Sequence, residues 1–340
     1  MFSKIIISRT DNLGDVVLTL PLAGYLKTKF PNTEIIFIGK KYTQNIINLC
    51  SYVDVFLDKE EIIKDNTILE NLNADVILFV FPDKQLAKIA KKVKIKNRVG
   101  TSNRWFHWLY CNKLAYFSRK KSNLHESELN FKLLKPLKIS DEKIELKNMW
   151  QYYGTKHSIE NITENRKNEI KKYIDKNKFN LILHPKSKGN GREWGLDNFQ
   201  KLIDILPTDK FQILITGVKE EGEMIKNQLP QLFEHQNVIN LTGQLNIPDF
   251  LTLIEASDGL VASGTGPLHL AALLEKLAIG IFPPMKPIHP TRWKPLGKNA
   301  HYFCVDKNCN DCKKTQNCSC MQQIAPEEIK NMIISHSKHV

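Results

Sequence analysis

The chain has 340 residues, 42% of them hydrophobic, with 49 Lys and Arg against 36 Asp and Glu and a formal net charge of +13. That length accommodates two domains of ordinary size, each with its own core, and the absence of any run of 18 apolar residues excludes a spanning helix. Met1-Phe2-Ser3-Lys4 leads into an apolar run rather than a signal-peptide pattern, so the expected location is the cytoplasm. The charge is uneven: Lys84 to Lys121 holds twelve Lys or Arg and no Asp or Glu, interleaved with Trp105, Phe106, Trp108, Tyr110, Tyr116 and Phe117. This mixture suits an anionic membrane surface or a phosphorylated acceptor, with a plain solvated basic face as the alternative. No nucleic-acid partner is expected, because no helix-turn-helix, RNA-recognition or zinc-finger pattern occurs.

In chain order, apolar runs predict strands at 4–8, 34–39 and 75–79, with helices at about 15–30 and 84–92. A polar stretch at 155–178 reads as a surface helix plus linker. Beyond it come strands at 181–184, 212–216, 238–240, 259–262 and 278–281, and helices at 196–206, 220–229, 247–256 and 268–274. Pro326 sits in the first turn of a closing helix. Strand–helix alternation at this rhythm predicts α/β architecture: two Rossmann-like, doubly wound domains facing across a cleft. The expected boundaries are 1–160, a linker at 161–178, a second domain at 179–322 and a C-terminal helix at 323–340 returning to the first domain. Neither half carries G-x-G-x-x-G after a strand, which disfavours dinucleotide oxidation.

Four stretches can carry chemistry. In "SRTDNLGDVVLTLP", Gly14 and Asp15 stand where the first strand hands over to a helix, and Pro21 kinks or restarts that helix. Asp15 in the first turn is expected to stay ionised beside the helix dipole, ready to accept a proton from a sugar hydroxyl, or else to serve as a cap. "LHPKSKGNGREWGLDNF" offers Lys186, Lys188, Arg192 and Trp194 on a glycine-containing loop, suited to a diphosphate or simply solvated. "LVASGTGPLHLAALL" places Ser263, Gly264, Thr265 and Gly266 in a tight turn before a helix, a phosphate cradle, with His269 one turn in as contact or core residue. In "LITGVKEE", Gly217 ends a strand and Glu220 follows, suited to ribose hydroxyls or to a first helical turn. Cys309, Cys312, Cys318 and Cys320 have spacings that zinc or a disulfide can use, with reduced thiols packing a loop as the other reading.

The order and spacing of these stretches, together with "HESELN" (125–130), "PTRWKPLG" (290–297) and "CSCMQQIAPEEI", are those of a known family. Over nearly its full length the chain resembles the bacterial ADP-heptose:lipopolysaccharide heptosyltransferases, glycosyltransferase family nine. The resemblance implies a GT-B fold and an inverting, metal-independent transfer that needs no cofactor beyond its nucleotide-sugar, ADP-heptose. It implies a lipopolysaccharide precursor or other anionic glycolipid as acceptor. It puts the catalytic base on Asp15, the phosphate-binding cation on Arg192, where the family commonly has Lys, and the diphosphate turn on Thr265, Gly266 and His269. Arg98, Arg104 and His107, in the acceptor half, are candidate acceptor contacts. Two positions depart from the pattern: Gly264 stands where the family usually has Asp, and Lys219 where it has a ribose-binding Glu. Another nucleotide-sugar serving a cell-surface glycan is therefore the alternative, as is a degenerate nucleotide-binding relative. A sugar-nucleotide epimerase shares the two-domain fold but leaves the Leu-Gly-Asp element unexplained.

Overall fold

The computed structural model describes residues 2–139, 144–187, 189, 191–305, 309 and 319–337. They fall into two compact units, 1–158 and 159–340. No helix among the described residues is long and apolar enough to cross a membrane.

The first unit is built on a parallel sheet of β1 (Lys4–Ser8), β2 (Glu34–Gly39), β3 (Val55–Asp58), β4 (Val76–Phe79), β5 (Asn97–Thr101) and β6 (Lys113–Ala115), in the order β3-β2-β1-β4-β5-β6. Ile5, Ile6 and Ile7 are fully buried, as strands covered by helices on both faces require. The order reverses between β1 and β4, whose carboxyl ends therefore flank a crevice. The helix expected over 15–30 is two helices, Leu13–Val17 and Leu20–Lys29, and Pro21 opens the second. Asp83 caps the helix Lys84–Lys92 by accepting from the Gln85 and Leu86 amides.

The second unit repeats the plan with β7 (Phe179–His184), β8 (Phe211–Ile215), β9 (Val238–Asn240), β10 (Gly259–Ser263), β11 (Leu277–Ile281) and β12 (Ala300–Phe303). Its order, β12-β11-β10-β7-β8-β9, is that of the first sheet read from the other edge, so the reversal lies between β7 and β10. The stretch expected to hold a surface helix and a linker contributes the helix Glu164–Lys171 to this unit. Arg166 grips Asp249 on the helix Ile247–Ala256 with two nitrogens, at 3.2 and 2.8 Å, a pairing of sequence-distant residues that periodicity does not reveal.

The closing helix, Pro326–His336, also belongs here rather than to the first domain. It packs on the helix Leu196–Ile205, with Ile329 and Ile333 in the core. Trp194 ties this arrangement together: it is fully buried, meets Phe199 edge-on at 5.0 Å and donates its indole N–H to the Ile324 carbonyl at 3.0 Å. The expected donor contact is thus a core residue. Trp194→Ala is expected to cost about 3–5 kcal/mol through the cavity and the orphaned carbonyl, read as a lowered melting temperature of this unit.

Candidate functional site

At the carboxyl end of β1 the chain turns through Arg9, Thr10, Asp11 and Asn12 before the helix Leu13–Val17. Arg9 is almost wholly buried and organises three carboxylates. Its Nε donates to Asp11 at 2.6 Å, one terminal nitrogen reaches Glu126 at 2.9 Å, and the other pairs closely with Asp15. Glu126, with no exposed surface, also pairs with Arg119. Arg119 in turn bonds the Val80 carbonyl and Asn130, each at 3.1 Å, which brings it to the end of β4. The helix Glu126–Phe131 is pinned to the same place: Ser127 and Asn130 donate to the Leu18 carbonyl at 2.7 and 3.1 Å.

This gathers three carboxylates around two guanidinium groups. Burial pushes the Asp15 carboxyl up from its usual range to about 6, and the Asp11 and Glu126 charges add to the rise, against the pull of Arg9 and a bond from Asn12. The helix beginning at Leu13 has five residues, so its dipole is weak, and desolvation outweighs the stabilised anion that the sequence suggested. Burial works against the Arg9 charge, but Asp15, Asp11 and Glu126 hold it more firmly protonated than usual. Tyr42 donates to the Asp11 carbonyl at 2.6 Å, and burial with the nearby Asp11 and Asp15 charges raises its phenol. The buried hydroxyls of Ser8 and Thr10 have no hydrogen-bond partner among the described residues. Groups left so at a sheet's switch point are suited to a ligand.

Of the three expected acceptor contacts, one lies where a ligand can reach it. Arg104 is exposed just past the end of β5. His107 is fully buried, packed on Phe106 and Phe79 with ring centroids 4.7 and 5.9 Å away, and burial lowers its pKa. Gly100 leaves room for it: a Cβ there would stand 2.6 Å from the imidazole. Arg98 sits near the amino end of β5 and spends its guanidinium on the Tyr110 and Ile95 carbonyls. Both are structural.

In the second unit, the loops after β7 and β10 converge: a Cβ on Gly191 would lie 3.9 Å from the Gly264 carbonyl oxygen. Lys186 is paired with Glu193 at 2.6 Å, and the same carboxylate accepts from the Ser187 amide at 3.1 Å, so this cation is already answered within its loop. Arg192 is half-buried beside it, and Lys188 lies outside the described residues. Ser263, fully buried, and Thr265 carry hydroxyls without a partner among the described residues, and they frame the turn into the helix Gly266–Leu273. His269 is buried one turn along that helix. Gly264 is exposed, yet a Cβ on it would stand 2.4 Å from the buried ring of Phe282.

At the end of β8, Gly217 admits Glu221, whose carboxylate caps its own helix by accepting from the Val218 amide at 2.9 Å. Glu220 is exposed, as is Lys219. Sequence reasoning missed Arg9, Arg119, Glu126 and Glu193; Arg9 meets Glu126 across 117 residues, whereas Glu193 pairs with Lys186 within its own loop. Cys312 and Cys318 lie outside the described residues, Cys320 is buried and Cys309 half-buried. Among the described residues no group of three His, Cys, Asp or Glu could hold a metal.

Comparison with known proteins agrees with this architecture. A Haemophilus influenzae protein described provisionally as a glycosyltransferase is 25% identical over 320 residues, 91% of this chain and 89% of its own length. Lipooligosaccharide heptosyltransferase 2 of Campylobacter jejuni is 24% identical over 333 residues, 96% of each chain. The structure of E. coli heptosyltransferase WaaC with ADP superposes with a TM-score of 0.68 at 15% identity, covering 98% of this chain and 100% of that one. The two doubly wound units are those of the GT-B fold. The family model of glycosyltransferase family 9 (heptosyltransferase) matches residues 69–322, three quarters of the chain, and with its two switch-point sites the protein belongs to that family and is a glycosyltransferase.

Proposed function

We propose that the protein transfers heptose from ADP-heptose, with inversion, onto an inner-core acceptor of a lipopolysaccharide precursor at the cytoplasmic face of the inner membrane, and that Asp15 is the general base. The observation that carries this reading is the placement of the Asp15 carboxylate, largely shielded and paired with Arg9, at the carboxyl end of β1 beside the switch point; its desolvation raises it to about 6. Such a group is ionised at neutral pH yet basic enough to take a hydroxyl proton. Heptosyl transfer is favoured by the names of the relatives, and ADP by the nucleotide in the WaaC structure.

In the single displacement the acceptor oxygen bonds to the anomeric carbon as the bond from that carbon to the diphosphate breaks. The hydroxyl proton passes to Asp15, and the electron pair leaves with the nucleoside diphosphate. Arg192 and the backbone N–H groups opening the helix Gly266–Leu273 answer the charge that develops there, with the Ser263 and Thr265 hydroxyls as further donors. Glu220 is the proposed partner of the ribose, Gly14 keeps the base approachable, and Arg104 meets the anionic acceptor.

The test is calorimetric titration with ADP, UDP and GDP in the absence of added metal. Tightest binding to ADP is expected. A preference for UDP or GDP overturns the heptosyl donor, and binding of none overturns the proposed donor site and reaction.

A further inference from the structure

We infer that one face of the first unit, formed by the helices Lys84–Lys92 and Trp105–Tyr110 together with Tyr116, docks on an anionic lipid bilayer with its aromatic rings among the headgroups. It rests on the proposed reaction only in that a lipid-linked acceptor gives such docking a purpose.

Among the described residues seven large hydrophobic side chains are exposed, and four of them are Trp105, Trp108, Leu109 and Tyr116, at 64, 57, 53 and 75%. The short helix that carries three of them buries His107 alone, so core packing does not account for its composition. The rings are held in place. Trp108 donates its indole N–H to the Ser102 carbonyl at 2.7 Å and meets Tyr116 edge-on at 6.3 Å, and Lys84 lies over the Trp105 ring at 4.8 Å. With its one polar atom committed, the Trp108 ring turns an apolar surface outward.

The helix Lys84–Lys92 packs alongside and keeps Leu86, Ala87, Ile89 and Ala90 inward while Lys84, Lys88, Lys91 and Lys92 face solvent. Lys120 and Lys121 are exposed as well, and no carboxylate occurs from 84 to 121. The neighbouring Asp83 is buried and paired with Lys59 at 2.8 Å. The helix Lys59–Lys64 packs on Lys84–Lys92 and exposes Glu60 and Glu61 there, but the aromatic rings themselves stand among lysines, which matches a headgroup layer that is anionic at its surface and apolar just beneath. A second copy of the chain fits poorly, because a two-fold contact would set this positive face against itself. Trp105 and Tyr116 stand at the carboxyl ends of β5 and β6, the sheet edge that also carries Asp15. Docking there brings that edge to the lipid surface.

The experiment is sedimentation of the full chain with vesicles of phosphatidylcholine alone or mixed equally with phosphatidylglycerol, with tryptophan fluorescence as a second readout. Binding to the mixed vesicles is expected, with a blue shift. It should be weakened by about tenfold or more in Trp105→Ser/Trp108→Ser and, separately, in Lys88→Glu/Lys92→Glu, without change in thermal melting. The second variant keeps the proposal testable should the first fail to fold. Equal binding by both folded variants, failure of the unaltered chain to sediment, or self-association or oligonucleotide binding in place of vesicle binding would overturn it. Nucleotide titration without vesicles reports on the transferase reading separately, so either can fail while the other stands.

Discussion

Asp15→Asn is expected to lower kcat by about 10²–10⁴-fold while leaving nucleotide affinity within about twofold, because the amide keeps the shape of the carboxylate and cannot take a proton. In the unaltered enzyme kcat/KM should rise with pH through about 6, where Asp15 ionises, and then level off. Stability moves the opposite way. A carboxyl whose pKa is raised on folding binds its proton more tightly in the folded state, so its contribution is fully present below the unfolded value near 4 and is lost as pH rises through about 6. The asparagine variant escapes this loss and should be at least as stable as the parent at pH 7. Initial rates and thermal melts across the pH range measure both. Full activity in the variant would remove Asp15 from the mechanism.

Arg9→Met should destabilise the first unit by about 3–5 kcal/mol, since it leaves carboxylates buried without their shared cation. Arg119 still serves Glu126, so the uncompensated charges are mainly those of Asp15 and Asp11. Carboxyl groups that have lost their cation take up protons more readily, so the deficit should shrink as the solution is acidified. Adding Asp15→Asn to Arg9→Met should recover part of the loss, and denaturant titration of the single and double variants gives that coupling. Arg9→Lys is no substitute, because one ammonium cannot reach three carboxylates from the positions that the guanidinium fork occupies.

Much of the fold is visible in the sequence wherever apolar runs are long or helices amphipathic. β1, β2 and β9 and the helices Lys84–Lys92 and Ile247–Ala256 fall where periodicity puts them. The strands that periodicity misses are β3, β5, β6 and β12. β3, β6 and β12 lie at sheet edges, the first two with a single buried residue each and β12 with none, and β5 reads Asn-Arg-Val-Gly-Thr, too polar to stand out. The position of Asp15, the proposed base, at the end of β1 is legible because Leu-Gly-Asp follows a buried strand almost at once. The network around it is not, because Glu126 lies 117 residues from Arg9 and no local pattern announces the pairing. One clue lies in the sequence: an arginine directly after a strand centred on three isoleucines is pulled towards the interior and must find carboxylates there. Trp194 misled for the converse reason, since an aromatic in a basic loop resembles a ligand platform until the segment it closes over is known.

The contact between Gly264 and Phe282 constrains how this turn could have changed over evolutionary time. The phenyl ring occupies the volume that any side chain at 264 would enter, and Gly280 crowds the same ring from the neighbouring strand, where a Cβ would stand 2.5 Å away. An acidic residue at 264, which the resemblance would lead one to expect, could enter only with a displacement of that ring. A smaller residue at 282 would remove the clash. The two positions are expected to vary as a size-for-size exchange between lineages, so a relative with aspartate in this turn should lack the phenyl ring.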